Sequence, residues 1–317
     1  MQTIAYTISP YILRQLNRLE AIRQQIILYP MPPKRELGMQ FQATIDRVHY
    51  GLALTDEHVH PEKIKTILAN QIVFSMQKKV PYKDNLQKDV LQYKKALDYI
   101  KREWNMSSQT ISVKTLLNLY SLTGGPQIKI PENELHDIVG YLHASADNPF
   151  IQAALAKLLI RKLFSNSPET ELFSTMSSYI FLYQSGMNCR NLLVLEKPWV
   201  LENKLFNGYY ATSVSKPNVT GWLEYFIKTV CEELEKTYES FSHSQSKLEE
   251  EKIGKLNDRQ KVIMTLLDDP QAIITNRTIQ KIFHISAITA SRDLTKLTAL
   301  GLLFQQGKGR SVRYTRI

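Results

Sequence analysis

Apolar residues recur at helical spacing over almost all of the first 245 positions, and Pro, Gly and capping residues mark the breaks between the runs. Ile12, Leu16, Leu19, Ile22 and Ile26 share one face of a helix predicted over 9–29. Ser9 caps it, Pro10 opens it, and Pro30, Pro32 and Pro33 end it. The same pattern places helices over 35–54, 61–68, 84–103, 112–122 and 132–145, then over Trp199–Tyr210 and Thr220–Phe241. Gln127-Ile128-Lys129-Ile130, after the turn at Thr123–Pro126, is the one strand-like run in this part of the chain.

The stretch Asn148–Gly186 organises the rest. Phe150 to Ile160 is apolar on nearly every face, the pattern of a helix buried all round. Gln152, Lys157, Arg161 and Lys162 interrupt it, so it is too short and too charged to span a bilayer. Ser165-Asn166-Ser167-Pro168 then breaks and restarts the chain, with Ser167 as N-cap and Pro168 at the first helical position. Leu172, Met176, Tyr179, Ile180 and Tyr183 follow at helical spacing, and Gly186 ends the run. A loop entering a fresh helix N-terminus presents unbonded N–H groups and is a natural place for an anion.

A polar run from Ser240 to Lys252 reads as a boundary, and the pattern changes after it. Helices are predicted over Leu256–Leu267, Asn276–Phe283 and Ala287–Leu300, the last two joined by a turn at His284-Ile285-Ser286. Strands at Leu302–Gln306 and Ser311–Thr315 flank Gly307-Lys308-Gly309-Arg310. That order is the one found in winged helix-turn-helix modules, whose third helix enters the major groove of DNA. Ser286, Thr289, Ser291, Arg292 and Lys296 are the expected polar contacts on or beside that helix, with Asp293 a pairing partner for Arg292. Ile288, Leu294, Leu297 and Leu300 are expected to face the core. Lys308, Arg310 and Arg313 on the hairpin suit phosphate or minor-groove contact.

Charge sharpens this picture. The net charge is +10, and residues 254–317 alone carry +7, so a polyanionic partner is expected for the C-terminal module. Two cysteines cannot build a disulfide framework and suit a reducing cytosol. Met1–Tyr6 lacks the charged and apolar regions of a signal peptide, and no apolar run is long enough for a membrane span, so a cytoplasmic protein without membrane association is expected. His58-Val59-His60 reads as surface loop, His136 and His143 as packing or solvated groups, and Tyr209, Tyr210 and Trp222 as core aromatics.

Four segments carry a resemblance. Asp89–Leu97 resembles an E-V-x-N-Y-x-x-A-L helix, Asn148–Lys157 an H-P-x-I-x-A-A-x-x-H segment, Gly221–Phe226 a W-L-x-F-F helix, and Leu256–Gln260 the start of a winged-helix tail. Together they resemble the Fic (Fido) family in its form with a C-terminal winged helix. The implied fold is mainly α, a multi-helix core with a vestigial β-hairpin flap at Gly124–Pro131 plus the winged helix-turn-helix. The expected parts are an N-terminal helical region (1–80), a Fic-like domain (81–245) and the C-terminal module (252–317).

Active family members transfer AMP from ATP to a target hydroxyl through a loop of the form H-P-F-x-[D/E]-G-N-G-R. The collinear stretch here is Phe164, Ser165, Asn166, Ser167, Pro168, Glu169, Thr170, Glu171 and Leu172. The resemblance sets Phe164 where the general base would stand, Pro168 at the metal carboxylate, Glu169 and Glu171 at two glycines, and Leu172 at the phosphate-binding Arg. A phenyl ring accepts no proton, and two carboxylates at a helix N-terminus repel a triphosphate. The family's inhibitory motif would fall on Gly51–Asp56, which keeps neither its Ser nor its Glu.

The expectation is therefore a DNA-binding regulator with a catalytically degenerate Fic-like domain, no catalytic residue, no bound metal and no cofactor. It would act as a homodimer, with the degenerate loop as a pocket for a small effector or a protein partner. The alternative is a nucleotidyltransferase using ATP and Mg²⁺ through Glu169 or Glu171. A third reading is a scaffold whose winged helix binds protein.

Overall fold

The computed structural model describes residues 4–74, 84–123, 132–145, 148–163, 168–267, 272–307 and 312–316, without the side chains of 71–74, 145, 168–169 and 242–253. The chain divides into two compact units, Met1–Glu239 and Ser240–Ile317. The strand-like run at Gln127–Ile130, the flap expected around it and the loop residues Phe164 to Ser167 lie outside the described residues.

The first unit is built from helices α1 (Pro10–Leu28), α2 (Pro33–Ala53), α3 (Pro61–Phe74), α4 (Asn85–Glu103), α5 (Val113–Leu122), α6 (Glu132–Ser145), α7 (Pro149–Leu163), α8 (Pro168–Gln184), α9 (Glu196–Leu201) and α10 (Asn203–Ser215). The division between units falls within α11 (Thr220–Gly254). Local chemistry sets many of the starts. Ser9 accepts a bond from the Ile12 N–H (3.2 Å), Asp84 from Gln87 (2.7 Å), and Asn148 from Phe150 (2.9 Å). Ser112 and Thr115 form a reciprocal capping box at α5. Gly186 follows α8 with φ of 70°, where a side chain would be strained.

Two boundaries differ from the periodicity. The predicted helix over Trp199–Tyr210 is two helices, broken at Glu202 between α9 and α10. The polar run at 240–252 does not interrupt the backbone helix, because α11 continues to Gly254. Polar and charged residues are good helix formers when solvated, so polarity alone does not end a helix.

α7 and α8 form the most extensive helix pair among the described residues. Ala153, Ala154 and Ala156 on α7 and Ser174, Thr175, Ser177 and Ser178 on α8 are all buried, and small side chains allow close packing of two helices. Ser178 donates to the Ala153 carbonyl (2.9 Å), and the Trp222 indole N–H to the Ala154 carbonyl (2.8 Å). Leu155, Leu158, Leu159 and Ile160 complete a helix buried on every side.

A second close approach joins α2 to α4. A Cβ added at Gly51 would lie 2.1 Å from the Tyr93 ring, and that ring is fully buried. The tyrosine thus occupies the space that a side chain at position 51 would need.

The second unit holds α12 (Asp258–Thr265), α13 (Asn276–Phe283), α14 (Ala287–Ala299) and an antiparallel pair, β1 (Leu303–Gln306) and β2 (Arg313–Arg316). Leu303 pairs with Arg316 and Gln306 with Arg313, and Ile274 bridges Tyr314 on the other edge of β2. Its core gathers Leu256, Ile263, Ile274, Ile279, Leu294 and Leu297.

Gly51→Ala should destabilise the first unit by about 1–3 kcal/mol through overpacking against Tyr93. Urea titration of the variant should show a lowered midpoint at an unchanged slope. An unchanged midpoint would contradict this packing.

Candidate functional site

At the start of α8, where the resemblance puts phosphate chemistry, the described side chains form an internal ion cluster. Lys157 of α7 is fully buried. Its Nζ donates to Glu171 Oε1 (2.5 Å), Thr175 Oγ1 (2.7 Å) and Ser174 Oγ (3.0 Å). Ser174 and Thr175 each give their own proton to the Glu171 carbonyl at 2.9 Å, which leaves their lone pairs for the ammonium. One turn along α7, Arg161 Nε lies 2.8 Å from Glu171 Oε2, off the N–H axis, so this contact is an ion pair rather than a hydrogen bond. Arg161 Nη2 reaches Asn207 (3.1 Å).

Aromatic faces enclose these cations. Lys157 Nζ sits 4.9 Å from the Trp199 ring centre, and the Arg161 guanidinium 4.0 Å from Tyr210 and 4.9 Å from Phe206. Burial lowers the Lys157 ammonium from its ordinary 10.5 to about 8, against the opposing pull of Glu171. An unpaired charge at that depth is strongly unfavourable, so the Glu171 carboxylate is needed where it stands.

Glu171 therefore does not project into a phosphate loop, as its place in the degenerate motif led us to expect. It is buried and turned toward α7. The Glu171 carboxylate is shared by two cations, and the side chain at position 172 is a leucine with no guanidinium. Thr170 is also buried, whereas Phe164, Ser165, Asn166, Ser167 and the Glu169 side chain lie outside the described groups.

A second buried network ties α2, α4, α8 and α9 together. Glu196 accepts from the Tyr93 hydroxyl and from the Tyr179 hydroxyl (2.7 Å), and Tyr179 accepts from the Leu195 N–H (2.9 Å). Arg47 donates to the Leu193 carbonyl (2.8 Å) and to Tyr183 (3.1 Å). Burial raises the Glu196 carboxyl above its ordinary value, although both tyrosines and Arg47 oppose the shift. All five polar side chains are buried among themselves, as expected of a structural network rather than a reaction centre.

Burial pushes the Cys189 thiol up to about 12 and Cys231 up to about 11, so neither supplies a thiolate at neutral pH. His60 Nδ1 accepts from the Glu62 N–H at the start of α3, and His143 contacts the Ile111 carbonyl (2.8 Å). No group of three or more His, Cys, Asp or Glu residues among those described could hold a metal ion. Trp222 is fully buried, but Tyr209 is 40% exposed and stacks on Tyr225 instead of entering the core.

In the second unit the expected contact residues separate into two sets. Ser286 is the N-cap of α14, accepting from the Thr289 N–H (3.2 Å) and sharing a bond with the Thr289 hydroxyl (3.0 Å). These two groups are occupied in holding the helix start. Ser291, Arg292 and Lys296 are exposed and line one shallow groove with Ile288, Thr295 and Ala299. Lys296 also donates to the Lys255 carbonyl (2.8 Å).

Two expectations on this helix are corrected. Asp293 does not pair with Arg292; it is buried and accepts from Arg259 (2.5 Å) and Gln260 (2.7 Å) of α12. Ile288 does not face the core, being 67% exposed, and Ala290 takes the buried position. Arg313 is exposed on β2, and Lys308 and Arg310 lie outside the described residues.

The Lys157–Glu171–Arg161 cluster was not singled out from the sequence. Its only signal was a lysine inside an otherwise apolar helix, which reads equally well as an interruption.

Lys157→Met should lower stability by about 1–3 kcal/mol, because Glu171 keeps Arg161 but loses the ammonium, and Ser174 and Thr175 lose their donor. Denaturant titration of the variant tests this, and an unchanged midpoint would contradict it. Below about pH 8 the folded and unfolded chains both hold the Lys157 proton; between about 8 and 10.5 the unfolded chain holds more. This group's contribution to stability therefore rises with pH across that window. Lys157→Met should lack the rise when midpoints at pH 7.5 and 9.5 are compared.

No family model matches the chain, and no curated protein matches it in sequence. Among solved structures, a Fic family protein from Desulfovibrio desulfuricans G20 superposes with a TM-score of 0.60 at 11% identity, covering 99% of this chain and 98% of that one. The chain thus has the fold of a Fic family protein along its whole length, without close sequence similarity to it.

Proposed function

We propose that the protein is a DNA-binding regulator whose Fic-like domain no longer transfers nucleotide and serves as an effector-binding or dimerisation platform. One observation carries the DNA-binding part: the exposed face of α14 presents Ser291, Arg292, Thr295 and Lys296 together, on a helix held by a Ser286 cap. The order of α12, α13, α14 and the β1–β2 pair is that of a winged helix-turn-helix, and the segment carries +7 of the net +10 charge. In this reading α14 lies in the major groove, and the hairpin with Lys308, Arg310 and Arg313 meets the phosphates. Such modules act on two half-sites, so a homodimer is part of the proposal.

The loss of transferase activity is supported by Glu171, whose carboxylate is held between Lys157 and Arg161. The collinear loop also offers no His or Arg for base or phosphate contact.

Duplex DNA retention by the full chain should fall steeply with salt. Arg292→Ala should weaken it by about 1–3 kcal/mol, and Arg310→Ala should reduce the salt slope by about one. Binding indifferent to salt and to both changes would end the DNA-binding reading. With labelled ATP no protein-bound label should form. Label that does form, and disappears in Glu169→Ala, would overturn the non-catalytic reading without disturbing the Glu171 cluster.

A further inference from the structure

Ile288 occupies the second position of α14, inside its first turn, and is the most exposed large apolar side chain of the second unit's described residues. Its neighbours on the same face are not apolar. Ser291, Arg292, Thr295 and Lys296 line the groove with it, and only Ala299 at the far end adds further hydrocarbon. A protein-docking face would cluster several apolar side chains; this one sets a single branched aliphatic group among hydroxyls and cations. In a major-groove helix the N-terminal residues reach the base edges. The one apolar feature on those edges is the thymine C5 methyl group, and guanine offers the paired O6 and N7 acceptors that suit a guanidinium.

We propose that Ile288 is a specificity-determining residue that reads a thymine methyl group, with Arg292 on a guanine edge in the same half-site. The inference rests on the DNA-binding reading above. Residues 288 and 292 are separated by about 6 Å along the helix axis at 1.5 Å per residue. That is about one helical turn, so both side chains stand on one face and can reach bases of the same half-site. Ser286 and Thr289, engaged in the cap, are not base readers in this arrangement. Arg292 is exposed on α14 and is available for the guanine edge.

The test begins with selection by the full chain from a randomised duplex library. The enriched duplex is then remade with each thymine replaced in turn by deoxyuridine, which removes only the methyl group. One replacement should weaken binding of the wild-type protein about fourfold, the worth of one buried methyl group. Ile288→Ala, at an exposed position, should fold normally, bind the thymine duplex more weakly and lose sensitivity to that replacement. A guanine in the same half-site should matter for the wild type and not for Arg292→Ala. If every replacement is neutral, or if Ile288→Ala keeps the same sensitivity, thymine reading is excluded while DNA binding stands. If no duplex is enriched, the DNA-binding reading itself fails, and this inference with it.

Discussion

The ion pair between Lys157 and Glu171 is the constraint on which the first unit depends. α7 is buried on every side, so its lysine cannot reach water and must be neutralised from within. The first turns of α8 supply what is needed: a carboxylate, two hydroxyls and a backbone carbonyl, all within reach of one ammonium. Arg161 pairs with the same carboxylate, and the rings of Trp199, Phe206 and Tyr210 cover the two cations, so α9 and α10 are tied to the pairing as well.

The cluster also bears on chemistry. In the resemblance drawn from the sequence, Glu171 stands where a glycine would let a phosphate approach the helix start. Here the residue points the other way, into the pair of helices. Glu171 is part of the core, and the positive end of α8 lies beside a carboxylate that favours it. The Glu196 network holds the opposite flank through the Tyr93 and Tyr179 hydroxyls, which donate to one buried carboxylate, while Arg47 beside them donates to the Leu193 carbonyl and Tyr183.

The second unit distributes its polar groups differently. Asp293, Arg259 and Gln260 lock α14 to α12, and Ser286 with Thr289 fixes the helix start. With those groups engaged, Ser291, Arg292, Thr295 and Ile288 are left on the outer face of a rigid helix. Periodicity read Ile288 as core because an isoleucine in a helix is usually buried. Its place in the first turn, beyond the reach of Leu294 and Leu297, leaves it outside.

By itself the sequence determined where most helices begin and end, because caps such as Ser9, Asp84, Ser112 and Ser286 are local interactions written in neighbouring residues. It also determined that α7 is buried and that positive charge gathers at the C-terminal end. Partners distant in sequence were decided only by the tertiary structure. Lys157 could have been a surface interruption, Asp293 a partner of its neighbour, and Glu171 a loop carboxylate. Each was settled by a side chain 14 or more residues away, Glu171 for Lys157 and Arg259 for Asp293. Hydrogen bonds and ion pairs of that kind have no period along the chain, which is why helix patterns were legible in the sequence and the pairing inside them was not.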